Sequence, residues 1–201
     1  MLYSVVNVEV HPGKVSDALA GIAKSAGGRE ALRACWYSEI GRLNRVLAIY
    51  AYPSADALSS AQSAILTGED PYGVSSLATG VTVDAYASFP GVDVLTPGDY
   101  GPVFEVRQYQ LRRTGLKPTL DLWAKALPPR STLSPAATVL YALSGLVPRF
   151  LHVWPYRALN DRMRIREEAV KQGLWPPPGG LAHIESMQSE IYLPAAFSPV
   201  H

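Results

Sequence analysis

The pattern of one stretch of this chain returns 104 residues later without a gap: Tyr37, Gly41, Arg45, Leu47 and Tyr52 recur as Tyr141, Gly145, Arg149, Leu151 and Tyr156. Intervening positions agree in character: Leu43 with Val147, Ile49 with Val153, Tyr50 with Trp154, and Phe89-Pro90 falls on Leu193-Pro194. A period of about 100 residues is the size of a domain, not of a solenoid unit, so the chain reads as a duplicated domain. The expected copies are residues 1–92 and 102–201, joined by a linker over 91–101. Two similar halves are expected to pack on each other and to leave a pocket near the shared surface.

Inside each copy the hydrophobic period switches between two and 3.6. The run from Tyr3 to Val10 reads as a strand and His11-Pro12-Gly13 as a turn. Val15, Ala18, Leu19, Ile22 and Ala23 then form one helical face, with Gly27-Gly28 as its stop. A short strand around Ala34–Tyr37, a turn at Gly41 and a strand from Asn44 to Tyr52 make a hairpin. Ser54 is the expected N-cap of a second helix carrying Ala57, Leu58, Ala61 and Ile65, and Val81–Phe89 is the last strand.

Copy two repeats that order. It has a strand over Phe104–Leu111, then a helix presenting Leu116, Leu120, Trp123 and Leu127. A Pro/Ser loop over Pro128–Pro135 leads to strands at Thr138–Leu143 and Arg149–Tyr156, a helix over Leu159–Gln172, and a strand over Ile184–Leu193. The order βαββαβ, twice, predicts an α+β fold: two tandem ferredoxin-like domains, each with both helices on one face of an antiparallel sheet. Burying the two uncovered faces against each other gives an intrachain, pseudo-dimeric α/β barrel.

Composition excludes several function classes. A net charge of +1 gives no electrostatic case for nucleic acid or an anionic membrane as partner. The single Cys35 cannot form an intramolecular disulfide, no secretory signal pattern opens the chain, and no run approaches the roughly 20 apolar residues of a span. A cytoplasmic protein is expected. The four histidines lack metal-ligand spacing, so neither a metal site nor a cofactor is expected. No phosphate-binding glycine loop or Gly-x-Ser-x-Gly elbow is present.

The segment Trp36-Tyr-Ser-Glu-Ile-Gly-Arg-Leu-Asn44 ahead of a strand resembles the signature of the NIPSNAP family. So do Phe104-Glu-Val-Arg-Gln-Tyr-Gln-Leu111, His152-Val-Trp-Pro-Tyr156 with Asn160-Asp161-Arg162, and the stretch Met187–Pro199. The resemblance implies a domain of the dimeric α/β-barrel kind and says nothing specific about chemistry.

The copies depart from that pattern in complementary ways. Copy one keeps Trp36, Glu39, Gly41 and Asn44 but has Val6, Val8 and Ala48 where copy two has Arg107, Tyr109 and His152. One composite site is therefore expected. In the strand Arg149–Tyr156, alternation puts Phe150, His152, Trp154 and Tyr156 on one face, read as pointing between the sheets, with Leu151 and Val153 meeting the helices.

His152 is then the candidate proton carrier and Arg107 the group that holds an anion, with Glu105 and Tyr109 on its face. Trp36, Glu39, Tyr50, Tyr109 and Trp154 are the candidate ligand-binding residues. The competing readings are a core histidine, a structural ion pair of Arg107 with Glu39 or Glu105, and aromatics that are plain core. Arg162, Arg164 and Arg166 read as a solvated helix face, and Cys35 as buried and inert.

The leading expectation is a barrel that binds a small, partly apolar or aromatic molecule between its sheets. The alternatives are a cofactor-independent monooxygenase or isomerase, and a protein–protein interaction module. A homodimer formed through a free edge strand is a further expectation.

Overall fold

A computed structural model describes residues 1–25, 30–92 and 95–201. The first half contains β1 (Leu2–Val10), α1 (Val15–Lys24), β2 (Leu32–Ile40), β3 (Arg45–Tyr52), α2 (Ala55–Leu66) and β4 (Ala78–Ser88). The second contains β5 (Val103–Leu111), α3 (Leu116–Ser131), β6 (Thr138–Ala142), β7 (Arg149–Tyr156), α4 (Leu159–Lys171) and β8 (Ile184–Pro194). Short 3-10 turns at Pro71–Gly73 and Gly180–His183 precede β4 and β8.

The order βαββαβ thus occurs in both halves, as their hydrophobic periods require. Ser54 caps α2, its hydroxyl accepting from the Ala57 N–H at 3.1 Å. The expected Gly27-Gly28 stop of α1 lies outside the described residues. The hairpin glycines do sit where a side chain is excluded. Gly41 (φ +115°) and Gly145 (φ +70°) have left-handed backbones. A Cβ on Gly41 would meet Glu190 Cγ at 2.7 Å, and one on Gly145 would strike the Asp84 carboxylate.

α3 runs on through Pro128-Pro129 to Ser131, where the sequence reading ends it at Pro128. Prolines lose a backbone donor and crowd the preceding turn, but these stand in the last turn, and Arg130 pins it. That side chain is buried, donates to the Ser134 carbonyl at 2.9 Å and lies 4.5 Å over the Trp154 ring.

All eight strands join in one closed barrel, in the order β1-β3-β2-β8-β5-β7-β6-β4. The halves meet at two antiparallel seams. β2 pairs β8 (Trp36↔Pro194 to Ile40↔Ile191) and β4 pairs β6 (Tyr86↔Ala142 to Ser88↔Leu140). Closure removes the strand edges, so the expected edge-strand route to a homodimer is not available among the described strands.

One side of the sheet lines the barrel. Tyr3, Val5, Trp36, Leu47, Ile49, Tyr86, Phe104, Val106, Leu140, Leu151, Val153 and Tyr192 form a single buried interior cluster. Leu95 and Val200 complete it at one end, where Gly98 bridges Val200. Burying a residue of this size stabilises by about 1.5–3 kcal/mol, so this interior carries much of the fold. The outer side of the sheet faces the helices and forms two further layers, one per half.

The direction expected for β7 is reversed. Leu151 and Val153 point into the barrel, while Phe150, His152, Trp154 and Tyr156 pack with Trp123 and Leu127 of α3. Both faces of this strand are buried, one by the opposite wall of the barrel and one by α3, so hydrophobicity gave no sign of which was inner.

Candidate functional site

The seven candidate residues separate into four places. Trp36 is barrel core: it stacks on Phe104 with ring centres 4.7 Å apart, and its indole N–H donates to the Val200 carbonyl at 3.0 Å. Glu39 is exposed near the end of β2, beside an open groove shared with α1. Tyr50 lies in the apolar sheet–helix layer of the first half, against Tyr72. Arg107, Tyr109, His152 and Trp154 come together between the sheet and α3 and α4 in the second half. The composite arrangement with Trp36 and Glu39 does not form, because strand alternation turns Trp36 to the opposite side of the sheet.

Arg107 and His152 are direct cross-strand partners on β5 and β7, as are Glu105 with Trp154 and Tyr109 with Phe150. At the centre is Glu105, fully buried. Its Oε1 accepts from Arg107 Nη1 at 2.6 Å, Arg162 Nη2 at 2.7 Å and the Ser189 hydroxyl at 2.7 Å; Arg166 stands 3.9 Å from Oε2. Burial alone would raise this carboxyl, but the Arg162 hydrogen bond and the Arg107 charge outweigh it and hold the pKa at about 2. Glu105 is a fixed anion at any physiological pH.

Two of the three arginines read as a solvated helix face therefore turn inward onto Glu105. Arg164, by contrast, pairs with Asp161 at the surface. Glu105 entered the sequence reading only as an ion-pair partner. Its sequence signal is a carboxylate set between Phe104 and Val106 in β5.

His152 is 1% exposed and boxed by rings: Tyr109 and Trp123 each stand edge-on at 4.8 Å, and Phe150 lies behind at 5.4 Å. Its Nδ1 is 2.6 Å from Trp154 Nε1. An indole N–H only donates, so Nδ1 accepts and the proton of the neutral ring is on Nε2. Burial, followed by the Arg107 charge, lowers the His152 pKa well below its ordinary value. The ring is neutral at pH 7 and presents an N–H. That is a donor's arrangement, whereas the sequence reading cast His152 as a proton carrier.

Tyr109 accepts from Arg107 Nε at 2.6 Å, which leaves its own proton to give. His152 Nε2, Glu105 Oε2 and the Tyr156 hydroxyl are buried without a hydrogen-bond partner. Such atoms cost about 1–3 kcal/mol each, so their gathering in one layer needs an explanation.

The other half supplies a control. By register, Ser4↔Tyr50, Val6↔Ala48 and Val8↔Val46 in the first half occupy the places of Glu105↔Trp154, Arg107↔His152 and Tyr109↔Phe150. There the layer is built from Val6, Val8, Ile22, Val46, Ala48 and Leu58, with Cys35 pushed up to about 12 by burial and so inert at neutral pH. The fold does not require the charged constellation. Among the described residues, no group of three or more His, Cys, Asp or Glu side chains converges to hold a metal ion.

An eight-stranded antiparallel barrel with helices outside, closed within one chain from two ferredoxin-like halves, defines a pseudo-dimeric α/β-barrel protein. NIPSNAP sequences match residues 3–74 and 104–199, and the chain belongs to that family. A NipSnap homolog of Dictyostelium discoideum is 30% identical over 94 residues, 46% of this chain and 42% of that protein, so the match spans less than half of either. A candidate monooxygenase from Lactobacillus acidophilus overlays with a TM-score of 0.66 at 9% identity, covering 96% of this chain and 92% of its own. An anthrone oxidase-like protein overlays with a TM-score of 0.66 at 12% identity, covering 96% and 91%. At these identities the likeness is one of fold. Among the described residues, no helix is long and apolar enough to cross a membrane.

Proposed function

We propose that the protein binds a small, partly aromatic molecule bearing an anionic or carbonyl oxygen in the sheet–helix layer of its second half. The observation that carries this reading is the asymmetry between the halves: equivalent positions are a largely apolar core in one, where Ser4 accepts from Gln62, and a buried, incompletely satisfied charged network in the other. The hydroxyls of Tyr109 and Tyr156 and the His152 Nε2–H are donors suited to a ligand oxygen, with Arg107 supplying the charge behind Tyr109. Glu105 stays ionised at neutral pH and holds Arg107 in place. Trp123 and Trp154 are the aromatic walls, with the half-buried Trp175 edge-on to Trp123 at 4.7 Å.

A second reading, for which the donors are suited, is cofactor-independent oxygenation of an aromatic substrate that binds as its enolate; two fold neighbours are named a monooxygenase and an anthrone oxidase-like protein. The same donors would stabilise its enolate. Nδ1 of His152 is not the base in that reading, because its lone pair accepts from Trp154.

Native mass spectrometry of protein purified without added ligand tests the proposal. A retained small organic mass is expected, and Arg107→Met and Tyr109→Phe are expected to lose it, each weakening rebinding by roughly ten- to a hundredfold. Ligand-free spectra, together with tryptophan fluorescence that phenols and naphthols leave unchanged, would refute it. Oxygen uptake on adding anthrone separates turnover from binding. The same spectra report the assembly: a 21.7 kDa particle excludes the homodimer.

A further inference from the structure

The barrel interior changes character along its axis. On β1, the inward series Tyr3 and Val5 continues as Asn7 and Glu9; on β5, Phe104 and Val106 continue as Gln108 and Gln110. On β3 and β7, the inward apolar residues give way to Arg45 and Arg149. At this end, opposite the one completed by Leu95 and Val200, a cavity of about 270 Å³ sits between the two hairpin turns. Its lining includes Arg42, Arg45, Arg149, Asn7, Gln108 and Gln188, and no carboxylate.

The acids Glu9, Asp84 and Glu190 stand beside the lining on the same inward face of the sheet and brace it. Arg45 Nε donates to Glu9 at 3.0 Å, Arg42 Nε to Glu190 at 3.0 Å, and Arg149 Nη2 to Asp84 at 2.6 Å. Each arginine has five N–H donors, and these contacts use only part of them. Arg149 Nε is buried with no hydrogen-bond partner, and the Gln108 side chain makes no hydrogen bond among the described residues. The repeated glycines belong to this arrangement. Gly41 and Gly145 lack the Cβ that would collide with Glu190 and Asp84, the acids that brace Arg42 and Arg149.

Arg45 and Arg149 are the same position of the two halves, as are the amides Asn7 and Gln108, which pair in register with Leu47 and Leu151. The well therefore presents one guanidinium and one amide from each side of a pseudo-twofold axis. We infer that this barrel mouth is a second ligand site, separate from the sheet–helix layer, and that it binds a small dicarboxylate, one carboxylate toward each half. A cavity of this volume has room for a dicarboxylate of about eight non-hydrogen atoms. Guanidinium forks and primary amides are the donors that recognise carboxylates.

Isothermal titration calorimetry with succinate, and with acetate at matched ionic strength, tests the site. Succinate is expected to give saturable heat, with acetate at least tenfold weaker. Gln108→Met, which removes no existing hydrogen bond, and Arg149→Gln are each expected to weaken succinate at least tenfold. Arg164→Gln, which removes only a surface ion pair with Asp161, is expected to leave it unchanged. Should Arg149→Gln fail to fold, Gln108→Met alone decides. Absence of succinate heat at millimolar concentration, equal binding of acetate, or loss in Arg164→Gln but not in Gln108→Met each overturns the assignment.

Discussion

At the scale of single residues, Glu105 and His152 tie the chemistry of the second half to its stability. The folded-state pKa of Glu105, about 2, is below its ordinary 4.5, so its contribution is complete above pH 4.5, shrinks as pH falls, and is gone below about 2. His152 is also depressed. Below its ordinary 6.5 the unfolded chain takes up a proton that the buried ring resists, and stability falls in the same direction. Acid unfolding followed by circular dichroism is expected to begin near pH 6 and steepen below pH 4.5. Glu105→Gln should cost about 3 kcal/mol at neutral pH, because it leaves Arg107 and Arg162 facing an uncharged amide. It should also flatten the profile below pH 4.5, and a profile that keeps its slope there would reject Glu105 as the titrating group. Of this network, Arg107, Tyr109, His152 and Trp154 were legible because alternation along β5 and β7 groups them. Arg162 and Arg166 were not, since charge spacing on a helix does not say how far the helix rolls toward its sheet.

At the scale of elements, close approach decides where local propensity would mislead. Gly21 sits within α1, where alanine would ordinarily gain about 0.5–1 kcal/mol. A Cβ there would run into the backbone carbonyl of Gly73 in the 3-10 turn at Pro71–Gly73. Backbone cannot swing aside as a flexible side chain can, so the steric term wins. Gly21→Ala should lower stability by about 1–3 kcal/mol, read from the urea midpoint; a stabilised variant would show that α1 shifts freely. The same lesson applies to α3, whose length depended on Arg130 reaching Trp154 and Ser134 rather than on Pro128-Pro129. Capping by Ser54 was legible because it needs only neighbours in sequence.

At the scale of the molecule, the seams β2–β8 and β4–β6 make the halves interdependent. Each carries only three or four register pairs, yet Trp36 stacks on Phe104 across the interior, so neither half holds a complete core. Equilibrium unfolding should therefore be a single transition, with tryptophan fluorescence and far-UV circular dichroism superimposing. Separate midpoints would mean that the halves fold alone. Hydrophobic period and the 104-residue recurrence determined by themselves the elements, their order and the barrel plan, because these depend on neighbours along the chain. They determined too which residues share a side of each strand. Alternation is unchanged when the two sides are exchanged, however, and both sides here are buried. Only the long-range pairing that closes the barrel decided that Trp36 and Leu151 face inward, that His152 and Arg107 lie beneath the helices, and that Arg45 and Arg149 meet at the barrel's mouth.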